Sequence, residues 1–139
     1  FLRVKNEGIN ITIHAGEGDG VHSIQEALDN GAKRIGHGVR IIEDISVDNK
    51  LGPTADHILQ NNIPLEVCIT SNLHTNMYKN PQDHPISRLH NLGFNISLNT
   101  DNRLMSNTSI DNELNVAKAA GIEDPTSLLK YSASDSFLN

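Results

Sequence analysis

Short apolar runs alternate with polar, helix-patterned segments along most of the chain. Runs rich in β-branched residues are typical of strands, and the amphipathic segments between them are typical of helices. The predicted strands are 9–13, 33–38, 64–69 and 94–98. The predicted helices are 24–28, 54–61, 84–92, 109–120 and 124–137. Ser23 is expected to cap the first helix, which Asn30 and Gly31 end.

Four strand–helix alternations predict an α/β protein with a parallel sheet. A doubly wound sheet and a barrel both fit this pattern. Polar, chemically capable residues follow each predicted strand, and the C-terminal ends of successive strands are where (β/α)₈ barrels place their sites. Open sheets bind mainly around one switch point. The pattern therefore favours a (β/α)₈ TIM-type barrel.

The length predicts only part of that barrel. A complete one needs about 250 residues, whereas this chain has 139. Residues 1–139 are therefore expected to form one half of a single catalytic barrel, with about four βα units and a final helix. A half barrel exposes sheet edges that invite aggregation. Self-association or the missing half of the barrel is expected to cover them.

Composition argues against several classes of partner. The net charge is −6, no basic run occurs, and the aromatic residues are three Phe and two Tyr with no Trp, which disfavours nucleic-acid binding. No apolar run reaches the roughly 20 residues that cross a bilayer. The single cysteine, Cys68, fits a reducing compartment, so a cytoplasmic location is expected. The first residues are neither an initiator Met nor a signal peptide, which predicts the interior of a longer chain.

Three polar clusters at predicted strand ends are candidates for chemistry. His14 and Glu17 follow the first strand, His37 lies between two glycines after the second, and Asp101 follows the fourth. Imidazole and carboxylate groups bind zinc and transfer protons. Each cluster taken alone also fits an ordinary turn, a Gly-permitted bend or a helix cap. Their shared topological position indicates a common site.

Other polar residues carry weaker signals. Glu66 lies inside the third strand, where it is expected either to hydrogen-bond a catalytic histidine or to face outward into solvent. Ser71 has no identifiable His/Asp nucleophile arrangement. Cys68 is interpreted as small apolar filler, and His84–Pro85 as a helix start. The histidines expected at the surface are His22, His57, His74 and His90.

Four ordered segments, 12–17, 34–38, 66–72 and 97–101, resemble the C-terminal half of the adenosine deaminase family of metal-dependent hydrolases. The resemblance implies a zinc-bearing (β/α)₈ barrel that hydrolyses the 6-amino group of adenosine or 2′-deoxyadenosine, a small-molecule purine nucleoside, to give inosine or 2′-deoxyinosine and ammonia. The H-x-E…P-C-x-x-C signature of the cytidine deaminase type is absent from the sequence.

The resemblance also implies roles for individual residues. His14 and Asp101 would be zinc ligands, and Glu17 would lie against purine N1 and donate a proton to it. His37 would take a proton from the zinc-bound water and stabilise the hydroxide. Asn102 stands where the family usually has a second Asp that contacts purine N7, and an amide can also donate there.

The family's first strand carries a His-x-His pair that supplies two further zinc ligands, and no such pair occurs in this sequence. Zinc sites normally have three or more protein ligands. The chain by itself is therefore expected to bind zinc poorly and to be inactive. An adenine or AMP deaminase and a non-catalytic half barrel that serves assembly stay open as alternatives.

Overall fold

Four parallel strands form one sheet in the computed structural model, which describes residues 4 and 6–129. They are β1 Ile11–Ala15, β2 Ala32–His37, β3 Leu65–Val67 and β4 Ile96–Leu98. Their order in the sheet, β1-β2-β3-β4, equals their order in the chain. A doubly wound sheet reverses this order at its switch point, and the described strands show no reversal. The topology is that of consecutive strands in a (β/α)₈ barrel.

Helices connect these strands. They are α1 Val21–Asp29, α2 Pro53–Gln60, α3 Ile69–His74, α4 Ile86–Asn91, α5 Arg103–Ser106 and α6 Ile110–Ala119, with 3₁₀ turns at Val39–Asp44, Pro81–Asp83 and Pro125–Leu129. Four of the predicted helices correspond to α1, α2, α4 and α6. Of the predicted helix 124–137, the described part is the 3₁₀ turn, and the remainder lies outside the described residues.

The boundaries near the site differ from the predicted ones. Strand β1 runs two residues further than predicted, so His14 lies inside it. The third strand ends at Val67 instead of residue 69, because the backbone N–H of Asn72 already donates to the Cys68 carbonyl, 3.0 Å away, in a helical turn. Ser71 and Asn72 therefore belong to α3 and not to a loop after the strand.

The predicted N-cap at Ser23 is wrong, because α1 begins at Val21 with Gly20 as its N-cap. The Ser23 hydroxyl instead donates to the Gly20 carbonyl at 2.8 Å and accepts from the Gly16 N–H at 3.0 Å. These bonds join the start of α1 to the turn after β1. Ser109 does cap α6, because its hydroxyl accepts from the backbone N–H of Asn112.

The core lies between the sheet and the helices that cover its outer face. Ile35, Leu65 and Val67 of the sheet are completely buried. Their helical partners in the same apolar cluster include Ile24, Ile58, Ile86, Leu89 and Ala117. Each buried Leu or Ile contributes about 1.5–3 kcal/mol, and this layer holds the strand ends in place. In the part of the chain that the structure describes, every helix is too short or too polar to cross a membrane.

Candidate functional site

Side chains from three strands and from the segment after β4 meet at the C-terminal edge of the sheet. His14 on β1, His37 at the end of β2, Glu66 on β3 and Asp101 beyond β4 line one pocket of about 140 Å³. Its other lining residues are Gly36, Cys68 and Asn99. The parallel register aligns His14 with Gly36 and Gly36 with Glu66, which places the polar groups side by side. Four of the residues selected from the sequence therefore share one pocket.

The His14 imidazole lies across Gly36 of the neighbouring strand. A Cβ at position 36 would lie 2.2 Å from Cδ2 and 3.0 Å from Nε2 of His14. Glycine at this position is therefore what leaves room for the ring. The edge of the same ring meets the His37 ring, with centroids 5.2 Å apart and planes at 81°. The two histidines from adjacent strands thus form one unit.

His37 is buried, with 2% of its surface exposed, and has a left-handed backbone at φ 62°. This conformation costs a non-glycine residue about 1–2 kcal/mol. Gly38 follows with φ 68°, so two successive left-handed residues turn the chain out of β2. Burial lowers the pKa of His37, against the opposing attraction of the Glu17 and Asp101 carboxylates. The ring is therefore held neutral near pH 7.

Glu17 reaches the same site from the turn after β1. Its Oε2 is 3.5 Å from Nε2 of His37, and 27% of its side chain is exposed. On its other side Glu17 lines a cleft of about 480 Å³ together with Arg40, Glu43 and Tyr78. Its carboxyl group therefore stands between the histidine and a cleft wide enough for a small molecule.

Asp101 is held by Ser71, a residue to which no role could be given from the sequence. The Ser71 hydroxyl donates to Oδ2 of Asp101 at 2.8 Å. Asp101 is left-handed, at φ 56°, and is exposed. Its neighbour Asn102 is the N-cap of α5, where its Oδ1 accepts from the backbone N–H groups of Leu104 and Met105.

Glu66 forms an ion pair with the guanidinium group of Arg34. Its Oε1 is 3.3 Å from Nε of Arg34, which also donates to Oγ1 of Thr12 at 3.0 Å. Both charged side chains are largely buried, at 19% exposure for Arg34 and 23% for Glu66. Because Glu66 also lines the pocket, its carboxyl group lies among the site groups.

A buried polar chain extends from His37 into the body of the molecule. Nδ2 of Asn72 is 3.2 Å from Nδ1 of His37, and Oδ1 of Asn72 is 3.2 Å from Nε2 of His84. Nδ1 of His84 accepts from the backbone N–H of Ile86 at 3.2 Å. Burial lowers the pKa of His84 to about 4, so this histidine is neutral near pH 7.

Comparisons with known proteins decide the family. A family model described as adenosine deaminase matches residues 1–137. The chain belongs to the adenosine deaminase family. Adenosine deaminase 1 of Streptomyces coelicolor is 48% identical over 118 residues, which cover 81% of this chain and 30% of that protein. The chain therefore spans about a third of this relative's length.

Solved structures of similar fold include deaminases of other purines. A crystal structure titled as an N6-mAMP deaminase from Arabidopsis matches with a TM-score of 0.78 at 26% identity, covering 99% of this chain and 39% of the other. The adenine deaminase of Arthrobacter aurescens matches with a TM-score of 0.62 at 25% identity, covering 91% and 43%. The predicted family membership and the predicted partial (β/α)₈ barrel are thereby confirmed.

The zinc that the adenosine deaminase family implies has partial support in the described residues. His14 and Asp101 line the same pocket and offer an imidazole nitrogen and a carboxylate, both ordinary zinc ligands. Gly36 leaves the space that the His14 ring occupies. Among the residues described, no three His, Cys, Asp or Glu side chains form a group that could hold a metal ion. The donor types are ones that zinc uses, and two such residues are fewer than the three or more protein ligands of an ordinary zinc site.

Two buried polar residues behind the pocket, Asn72 and His84, have no specific role in the sequence-based prediction. Asn72 is one of the polar residues that end the third predicted strand and His84 is expected at a helix start, yet they are 0% and 3% exposed and hydrogen-bond to one another. A buried polar side chain must find a partner, but its burial is not visible in a single sequence. The histidines expected at the surface, His22, His57, His74 and His90, are all exposed.

Proposed function

We propose that the protein carrying this chain is a zinc-dependent adenosine deaminase that converts adenosine and 2′-deoxyadenosine, with water, to inosine or 2′-deoxyinosine and ammonia. A bond forms between C6 and the water oxygen, and the bond from C6 to the 6-amino nitrogen breaks. The observation that carries this proposal is the meeting of His14, His37 and Asp101 in one pocket, with Glu17 3.5 Å from His37.

His14 and Asp101 would hold the zinc ion, and two further ligands would come from a His-x-His pair outside this sequence. Bound zinc supplies a water of pKa near 7 as the nucleophile. The Ser71 hydroxyl fixes the Asp101 carboxylate through its 2.8 Å hydrogen bond. The position of the ligand oxygen is therefore set before metal or substrate arrives.

His37 would hydrogen-bond the attacking water, and Glu17 would supply a proton to the purine. His37 is proposed to contact the attacking water through Nε2, the ring nitrogen that lies 3.5 Å from Glu17. Glu17 in its protonated form would donate to purine N1, which withdraws electrons from C6. A bound purine would exclude water from the cleft beside Glu17, so solvent would not compete for this hydrogen bond.

Asn102 is proposed to contact purine N7. Its Oδ1 is engaged by the backbone of α5, which leaves Nδ2 as the group that donates to an acceptor such as N7. Glu66 is proposed to support a site histidine through a hydrogen bond, since it lines the same pocket and is held by Arg34.

Steady-state assays with the complete protein test the substrate. We expect the highest kcat/KM for adenosine or 2′-deoxyadenosine, with inosine and ammonia in equal amounts. A higher kcat/KM for adenine or AMP would replace the nucleoside assignment; the similar folds of an adenine deaminase and an N6-mAMP deaminase are the reason to include these substrates and N6-mAMP. Failure to deaminate any of them would favour a non-catalytic assembly module.

Metal removal tests the zinc requirement in the same assay. Dialysis against a chelator is expected to abolish activity, and added zinc is expected to restore it. The Asp101→Asn variant keeps a side chain that tolerates the left-handed backbone at this position. It is expected to fold normally and to lose at least about 100-fold in activity.

We also propose a cytoplasmic location and no stable complex with nucleic acid or membrane. The lone Cys68 is buried and unpaired with any other cysteine, which suits a reducing compartment. Either the remaining half of the barrel or a second copy would cover the edges at β1 and β4.

A further inference from the structure

We propose that His84 is a positioning residue for His37: acting through the Asn72 carboxamide, it fixes His37 as the tautomer with its proton on Nε2. The inference rests on hydrogen-bond directions along one buried chain. Its effect on catalytic rate also rests on the proposed deaminase function, but the tautomer itself does not.

The donor-to-acceptor direction of these hydrogen bonds is set at the start of α4. The backbone N–H of Ile86 can only donate, and it points at Nδ1 of His84 from 3.2 Å. Nδ1 therefore carries a lone pair and no proton. A neutral imidazole has one proton, so it resides on Nε2 of His84. The burial of this ring, at 3% exposure, keeps it neutral.

The orientation of the Asn72 carboxamide follows from this proton position. Nε2–H of His84 donates to the Asn72 atom 3.2 Å away, which must be the oxygen because an amide nitrogen cannot accept. The opposite orientation would set two N–H groups against each other. Nδ2 of Asn72 then donates to Nδ1 of His37 at 3.2 Å. Nδ1 of His37 accepts, so the single proton of its neutral ring is on Nε2.

Packing keeps the carboxamide and the His84 ring in this arrangement. Asn72 is fully buried, and its backbone carbonyl accepts from the backbone N–H of Met77 and the hydroxyl of Thr75. The Tyr78 ring meets the His84 ring edge-on, with centroids 4.9 Å apart. Both ends of the Asn72 side chain contact histidines, and none of its surface is exposed to solvent.

The consequence lies at the site end of the chain. His37 presents an N–H, and not a lone pair, on the side where Glu17 lies 3.5 Å away. It therefore meets an attacking water oxygen as a hydrogen-bond donor. To accept the water's proton at Nε2, the ring would need its own proton on Nδ1, and Asn72 would have to turn against His84. The hydrogen bonds from Ile86 to His84 and from His84 to Asn72 oppose that reversal.

Nitrogen NMR on the complete protein with ¹⁵N-labelled histidine tests the tautomer directly. We expect a protonated, pyrrole-type Nε2 and an unprotonated, pyridine-type Nδ1 for His37, whose signals are assigned by their loss in a His37→Gln variant. A wild-type spectrum with the proton on Nδ1 would overturn the proposal. This readout needs no activity, so it stays decisive even if the protein deaminates none of the substrates tested.

The Asn72→Asp variant reverses the hydrogen bond to His37 and leaves the size of the side chain nearly unchanged. Its carboxylate accepts from both histidines, so the proton of His37 is expected to move to Nδ1. If the spectrum of this variant shows His37 still protonated on Nε2, Asn72 does not set the tautomer. The pattern of backbone signals would show that the variant is folded.

Two substitutions at position 84 separate its hydrogen bond from its bulk. His84→Gln keeps an N–H that reaches Asn72, whereas His84→Leu removes it. We expect His84→Leu to lower kcat about tenfold or more, the loss typical of one hydrogen bond, with KM little changed and with both His37 tautomers present. His84→Gln is expected to restore one tautomer and most of kcat. Equal kcat values and one Nε2-protonated tautomer in both variants would show that position 84 contributes packing alone.

Discussion

The His14 imidazole occupies the space that a side chain at position 36 would fill. In Gly36→Ala the new Cβ would lie 2.2 Å from Cδ2 of His14, so the ring must turn away from the pocket. A displacement of about 1 Å can cost about 100-fold in rate, and we expect a loss of that size in kcat/KM together with weaker zinc binding. Kinetics and zinc titration of the complete protein measure both.

Gly18 offers the matched control for this substitution. A Cβ there has no neighbour within 4 Å, so Gly18→Ala is expected to leave zinc binding within about twofold and the unfolding free energy within about 0.5 kcal/mol. Because Gly18 lines the cleft beside Glu17, zinc affinity and stability are the readouts that this control compares. Equal zinc affinity of the two variants would mean that the His14 ring needs no such space.

Asn102→Asp restores the second aspartate that the adenosine deaminase family usually has at this position. Aspartate is also a good N-cap, so the start of α5 is expected to persist, and a protonated Asp can donate to N7 as is proposed for the amide. We expect the transition-state free energy calculated from kcat/KM for adenosine to change by no more than the 1–3 kcal/mol typical of one hydrogen bond. A loss above about 4 kcal/mol would show that Asn102 has a larger role than this contact.

The sequence predicted some residues of the site and could not predict others. His14, His37 and Asp101 follow from alternation, because a polar residue where an apolar strand ends must lie at the sheet edge. The Asn72–His84 pair spans 12 residues, and Asn72–His37 spans 35. Such bonds depend on how α3 and α4 pack, and no local pattern encodes that.

At the scale of elements, a buried carboxylate joins the two helices α3 and α6. Glu113 is 0% exposed, and it accepts from the backbone N–H of Thr70 at 3.3 Å and from Oγ1 of Thr108 at 2.9 Å. Glu113→Ala would leave a buried N–H without its acceptor and open a cavity. We expect the unfolding free energy to fall by about 2–4 kcal/mol, measured by denaturant titration.

Activity is expected to fall in the same variant, because α3 also carries Ser71 and Asn72. Asn115, exposed on α6, gives the control: Asn115→Ala should leave stability the same or slightly higher, since alanine favours helix. If Glu113→Ala were as stable as Asn115→Ala, the carboxylate would contribute nothing to the joint between the helices.

His84 also makes stability depend on pH. The pKa of this side chain is about 4 in the folded chain, below its ordinary value of 6.5. Between these values the unfolded chain binds a proton that the folded chain does not, so stability is full above pH 6.5 and is lost as pH falls toward 4. The contribution is about 3 kcal/mol between pH 7 and 4.

Denaturant titrations at several pH values check this loss. The His84→Gln variant has no titrating group at this position and should lack this part of the slope, while carboxylates contribute similarly to both proteins. Parallel stability curves for the two proteins would contradict the assignment of a low pKa to His84.

The longer helices were predictable because apolar spacing and end signals such as Gly31 and Gly121 mark them. The short helices α3 and α5 have six and four residues, too few for a helical period to show. For the polar residues before α5 the sequence left a turn or a helix cap open, and Asn102 is indeed the N-cap. Helix α3 was not predicted, although it directs Ser71 and Asn72 toward the site.

At the scale of the whole molecule, the four parallel strands in chain order form part of a (β/α)₈ barrel. The alternation of strands and helices predicted the parallel sheet, and the polar strand ends favoured a barrel over a doubly wound fold. Strand lengths were less predictable, because β3 and β4 each pair over only three residues.

Zinc titration compares this 139-residue chain with the complete protein. With His14 and Asp101 as its donors in the pocket, the chain alone is expected to bind zinc weakly and to lack activity. The complete protein is expected to bind one zinc ion tightly, and its Asp101→Asn variant at least about 10-fold more weakly. Tight, stoichiometric binding by the chain alone would disprove the requirement for further ligands.

The left-handed backbone at His37 and Asp101 has a consequence for protein engineering. Glycine or asparagine fits these two positions at lower conformational energy than the residues present. Libraries selected for heat resistance alone would therefore tend to accumulate such replacements and lose the proposed chemistry of these side chains. A thermostabilisation programme for this protein needs these two codons held constant while the rest of the chain varies.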